Sequence, residues 1–92
     1  MKKTIHSENG KIIADTLARL RKEAKLTQRD LALKLEREHS FVAYCELGER
    51  RVDLAEFYWI CKACNASPLA EASKLMTAFE KVIDQATDTP TR

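Results

Sequence analysis

The feature that most limits what this chain can become is the stretch from Thr27 to Gly48. Thr27-Gln28-Arg29-Asp30 reads as a helix start: the Thr27 hydroxyl can cap, and Asp30, three residues on, can reach back to the Thr27 N–H. Leu31, Ala32 and Leu35 then share one helical face. Glu36-Arg37-Glu38 is a polar interruption, and a second short helical segment from His39 to Leu47 turns Phe41, Val42 and Cys45 inward. Gly48 stands where a glycine terminates a helix. Two helices this short cannot bury their own apolar faces, so other helices must enclose them.

The flanking sequence supplies those helices. From Lys11, the residues Ile13, Leu17, Leu20 and Ala24 form one stripe, widened by Ile12, and Leu26 plugs the core from a short turn. Asp53 caps a fourth helix running to about Ala63, with Leu54, Phe57, Ile60, Cys61 and Cys64 as its apolar face. Of the adjacent aromatics, Phe57 enters the core, while Tyr58 or Trp59 lies at an edge or an interface. Ser67-Pro68 opens a fifth helix reaching about Gln85. The pattern predicts a flexible arm over 1–10, one helix-turn-helix domain over 11–85 (the motif at 28–48, the last helix at 67–85) and a disordered tail over 86–92. Only 2 Gly and 2 Pro, with 45% hydrophobic residues, favour an all-α fold. At 92 residues the core is small, and dimerisation is a natural supplement.

Charge is weak evidence. The formal net charge is +2, with 13 Lys and Arg against 10 Asp and Glu in residues 1–64 and 3 against 4 thereafter. No apolar run approaches a membrane span, and the N-terminal lysines precede no apolar stretch, so a cytoplasmic protein with no membrane partner is expected. The 3 cysteines then read as reduced thiols. Cys61 and Cys64 lie one turn apart on one helix, without the βαβ setting of a thioredoxin-like motif. A zinc site needs about four ligands, and only Cys45 and two histidines remain. Buried core cysteines are the favoured reading and redox sensing the residual one. No phosphate-cradling loop, metal cluster or nucleophile–base pair is visible, so neither a cofactor nor an enzyme activity is expected.

A helix-turn-helix has a simple physical use. Its first helix braces on the DNA backbone, and its second presents outward side chains to base edges in the major groove. The chain resembles the Cro/C1-type (XRE-like) helix-turn-helix regulators over roughly residues 12–70. The matching residues are Leu17-x-x-Leu20-Arg21, Leu26-Thr27-Gln28-x-x-Leu31-Ala32, Phe41-Val42, Glu46-x-Gly48-x-Arg50-Arg51 and Asp53-Leu54. The resemblance implies a five-helix, lambda-repressor-like DNA-binding domain, here with an extended C-terminal helix, and frequent homodimerisation. It implies that His39, Ser40, Ala43 and Tyr44 touch bases, with Tyr44 equally open to packing across the helix surface. It places Gln28 at a phosphate, Arg50 and Arg51 in a backbone-gripping loop, and Thr27, Arg29 and Arg37 with them as backbone contacts. Arg21 and Glu46 match the family's ion pair between the first and third helices, read as an exposed scaffold contact of little stabilising value. The family's usual turn glycine is replaced by Glu36, which then needs a positive φ, and Glu38 beside the recognition helix would repel a phosphate.

The fifth helix carries Leu69, Ala72, Met76, Phe79 and Ile83, widened by Leu75 and Val82. That exceeds what one end of a small core needs, so a second copy is the expected partner. A two-fold dimer would set its recognition helices about 34 Å apart on a roughly palindromic site. Two rivals stay open: an antitoxin or adaptor that keeps the fold while binding a partner protein, and a thiol redox sensor using Cys61 and Cys64.

Overall fold

The computed structural model describes the backbone of residues 3–85 and the side chains of residues 8–83. These form α1 (Lys3–Glu23), α2 (Gln28–Lys34), α3 (Ser40–Glu46), α4 (Leu54–Ala63) and α5 (Pro68–Gln85), with no strand among the described residues. The long helices α1 and α5 pack on each other, α2 and α3 form the helix-turn-helix, and α1 supports α3 from behind. The core gathers Leu17 and Leu20 of α1, Leu31 and Ala32 of α2, Phe41, Val42 and Cys45 of α3, Phe57, Ile60, Cys61 and Cys64 of α4 and its cap, and Leu75 of α5.

Three expectations need correction. The arm expected over 1–10 is helical from Lys3, eight residues before Lys11. Once a helix is nucleated and pinned by packing, each added residue gains a backbone hydrogen bond, so polar composition and one glycine do not stop it. Leu54 is exposed. The buried stretch of α4 begins at Phe57, and Leu54, one turn earlier, points past the core. The stripe predicted on α5 also splits: Leu75 is buried, and Ala72 and Phe79 pack on the core, whereas Leu69, Met76 and Ile83 are exposed. The predicted tail over 86–92 lies outside the described residues.

The helix ends follow from local chemistry. Thr27 and Asp30 form a reciprocal capping box at α2, and Asp53 and Glu56 form another at α4. The Ser67 hydroxyl accepts the Ala70 N–H at the start of α5. Helices α1 to α4 each end in a left-handed residue: Lys25 (φ 62°), Glu36 (57°), Gly48 (78°) and Asn65 (58°). At each, two backbone bonds close the end. After α2, Glu36 N–H donates to the Leu33 carbonyl at 3.1 Å and Arg37 N–H to the Ala32 carbonyl at 3.0 Å. Leu26, the next residue after the left-handed Lys25, is thereby turned onto the core, as its predicted role requires.

Gly48 alone of these four positions avoids the Cβ penalty of a left-handed backbone. Glu36→Gly should therefore raise the unfolding free energy by about 0.5–1 kcal/mol, and Gly48→Ala should lower it by about 1 kcal/mol. Urea denaturation followed by circular dichroism measures both. A loss of stability in Glu36→Gly would mean that its side chain, not its backbone, governs that turn.

Candidate nucleic-acid interface

The outer face of α3 is open. Gln28 and Arg29 of α2, the cap residue His39, and Ser40, Ala43 and Tyr44 of α3 line one shallow cleft. His39 and Tyr44 are exposed, and Ser40 and Ala43 are partly so. The inner face of the same helix holds Phe41, Val42 and Cys45 in the core. This division follows from the 3.6-residue period: positions 41, 42 and 45 face inward, so 40, 43 and 44 face outward. The four residues assigned to base contact thus share one surface with the start of the bracing helix.

The buttress behind α3 is stronger than an exposed ion pair. Arg21 Nε lies 2.6 Å from Glu46 Oε2, and a second guanidinium nitrogen lies 3.1 Å from Oε1. The side chains are only 13% and 9% exposed, which corrects the reading of a solvent-exposed contact. Arg21 also donates to the Leu26 carbonyl at 2.9 Å, and Gln28 Nε2 donates to Glu46 Oε1 at 3.0 Å. The bond to Glu46, partly opposed by burial, raises the Arg21 pKa. The Gln28 amide is thus engaged within the fold.

The expected backbone contacts divide. Thr27 serves the capping box at α2, its hydroxyl accepting the Asp30 N–H at 2.9 Å. Arg29 and Arg51 are exposed. Arg37 and Arg50 converge on Glu56, a residue that sequence reasoning passed over. Arg50 forms a two-pronged pair with the Glu56 carboxylate, both bonds at 2.9 Å, and Arg37 lies 3.2 Å away. Burial pushes the Glu56 pKa up, but the bonds from Arg50, the Asp53 N–H and Arg37 prevail and hold it at about 2. Its stabilising contribution is therefore complete above the ordinary value of 4.5 and is lost as pH falls toward about 2. The Asp53-x-x-Glu56 spacing is a capping-box signal visible in the sequence; the convergence of the two arginines is not.

The thiols are placed as core residues. Cys45, Cys61 and Cys64 are unpaired and buried. Burial raises all three pKa values, that of Cys61 to about 11. A buried thiol held protonated is a poor nucleophile. A disulfide-exchange reagent at pH 8 should label well under one cysteine per folded chain within minutes, and all three in denaturant. Rapid labelling of Cys61 or Cys64 in the folded state would restore the redox reading. No group of three or more His, Cys, Asp or Glu suited to a metal ion occurs among the described residues, and no described helix is long and apolar enough to cross a membrane.

Residues 12–75 match the family model described as a helix-turn-helix domain. A solved structure described as an XRE-family like protein from Pseudomonas syringae pv. tomato str. DC3000 is 39% identical, with a TM-score of 0.76, over 83% of this chain and 93% of that one. The chain belongs to the XRE-like helix-turn-helix family. No curated protein sequence matches it. The order of the five helices, with α3 packed on α1 and α2, is that of an XRE-like fold.

Proposed function

We propose that this XRE-like protein binds double-stranded DNA sequence-specifically and regulates transcription in the cytoplasm, acting as a repressor. The observation that carries this reading is the cleft in which Gln28, Arg29, His39, Ser40, Ala43 and Tyr44 meet on the open face of α3. Ser40, His39 and Tyr44 offer donors and acceptors to base edges, and the Ala43 methyl suits a thymine methyl. Arg29 and Arg51 supply exposed positive charge for phosphates, so affinity should fall steeply with salt. Occupying an operator in this way blocks access to it, which is the basis for choosing repression.

The protein acts as a homodimer in this proposal. Leu69, Met76 and Ile83 recur at seven-residue spacing along α5 and are 83%, 56% and 43% exposed. A second copy of α5 would cover them as a short heptad seam. The operator is then roughly palindromic, with half-sites about one DNA turn apart. The deciding experiment is selection of bound sites from random duplex DNA, with salt controls. Enrichment of an inverted repeat supports the regulator and its symmetry together; no enrichment and no shift of any duplex at low salt would overturn the reading.

A second reading, a module for a partner protein, draws on the exposed pair Tyr58 and Trp59, whose rings meet edge to face at 5.0 Å. Stable co-purification with another protein, together with absence of DNA binding, would select it.

A further inference from the structure

Helix α3 is held at both ends by one carboxylate from another helix. Arg37 lies in the turn that enters α3, and Arg50 lies in the loop that leaves it. Both reach Glu56 on the first turn of α4, Arg50 through two bonds at 2.9 Å and Arg37 at 3.2 Å. The guanidinium carbons stand over the ring of Phe41, 3.9 Å (Arg37) and 4.8 Å (Arg50) from its centroid. Phe41 is itself buried on the inner face of α3. Glu56 is fixed in turn by its own helix: its carboxylate accepts the Asp53 N–H at 3.0 Å, and its N–H donates to Asp53 at 2.7 Å. The side chain of Glu56 is 18% exposed, and those of Arg37 and Arg50 are 33% and 38% exposed, so the cluster is shielded on its Glu56 side and open to water on the other. The chain before α3, the chain after it and a ring within it are therefore clamped to the start of α4.

We propose that Glu56 is a positioning residue for DNA recognition: it sets the pose of α3 by tying the arginines at its two ends, without touching DNA. The proposal rests on α3 being the recognition helix. It changes the reading of Arg37 and Arg50, whose guanidinium groups serve this clamp before they serve any phosphate. A clamp and a mere charge predict opposite effects. As a charge near a polyanion, Glu56 would weaken binding to every duplex alike. As a clamp, it favours the selected site over other sequences, because base contacts depend on pose more sharply than phosphate attraction does.

The test compares affinity for the selected duplex with affinity for a scrambled duplex of the same length, at several salt concentrations. Glu56→Gln keeps an oxygen for the Asp53 N–H and removes the charge that holds the arginines. The expected result is a narrowing of the ratio between the two affinities by about tenfold, with scrambled-duplex binding unchanged or tighter. Glu56→Asp, which retains the charge on a shorter stem, should fall between the two. If Glu56→Gln does not fold, Arg37→Gln loosens one end of the clamp, leaves the Asp53–Glu56 capping box in place, and should also narrow the ratio. Tighter binding to both duplexes with the ratio unchanged would overturn the proposal, as would lost stability with the ratio unchanged. A wild-type chain that binds no duplex overturns the recognition-helix reading beneath it; a selective wild type with an equally selective variant overturns the clamp alone.

Discussion

Glu46→Ala is expected to lower the unfolding free energy by about 2–3 kcal/mol, the cost of stripping one partner from a largely shielded, hydrogen-bonded ion pair. Arg21 would keep its charge on a largely shielded side chain, with the Leu26 carbonyl as a remaining partner, and Gln28 would lose its acceptor. A domain of this size has a total stability of about 5–15 kcal/mol, so the variant should unfold at a clearly lower urea concentration than the wild type. Glu46→Gln should cost less, since it keeps the shape and one acceptor. Arg21→Lys should not preserve stability, because an ammonium cannot reproduce the forked contact to the carboxylate and the reach to the Leu26 carbonyl. Urea denaturation of the single variants and of a double variant with apolar replacements measures the coupling. A cost below about 1 kcal/mol for Glu46→Ala would mean that the pair behaves as a solvated surface contact.

Ser40→Asp is expected to weaken DNA binding severely at physiological salt while leaving the fold intact. Ser40 is the first residue of α3, and the preceding cap residue His39 makes no side-chain capping bond. A carboxylate there suits the positive end of the helix, so the thermal midpoint should stay the same or rise. On the outside it would sit in the cleft with His39, Ala43 and Tyr44, facing phosphates and the acceptor-rich edges of purines. Lost base contact and added repulsion should together reduce affinity on the order of a hundredfold, about 3 kcal/mol. Ser40→Ala serves as the control: a smaller loss, with altered preference among sequences. Unchanged affinity in Ser40→Asp would remove α3 from the interface.

Much of the fold is written locally. Thr27 with Asp30, Asp53, Ser67-Pro68 and Gly48 each announce a helix end through their own hydrogen bonds or backbone freedom, and each stands where expected. The period of Leu17, Leu20, Leu31, Phe41, Val42, Phe57 and Ile60 marks inward faces, and these residues are buried. The outward set on α3 follows as their complement. Where local signals were weak, the expectation failed: nothing in residues 3–10 announces a helix, and that turn-by-turn extension depends on an anchored α1.

The sequence by itself determined the five helices, their capped ends apart from the start of α1, and the exposed face of the third, because capping, turn chemistry and hydrophobic period act over a few residues. Only the tertiary structure decided how the charges are spent. It shielded Arg21 and Glu46 from most of the solvent, drew Arg37 and Arg50 onto Glu56, and divided the α5 stripe between the core and the surface. Which cation meets which carboxylate depends on distances between segments far apart in the chain, and burial then multiplies the consequence of each pairing.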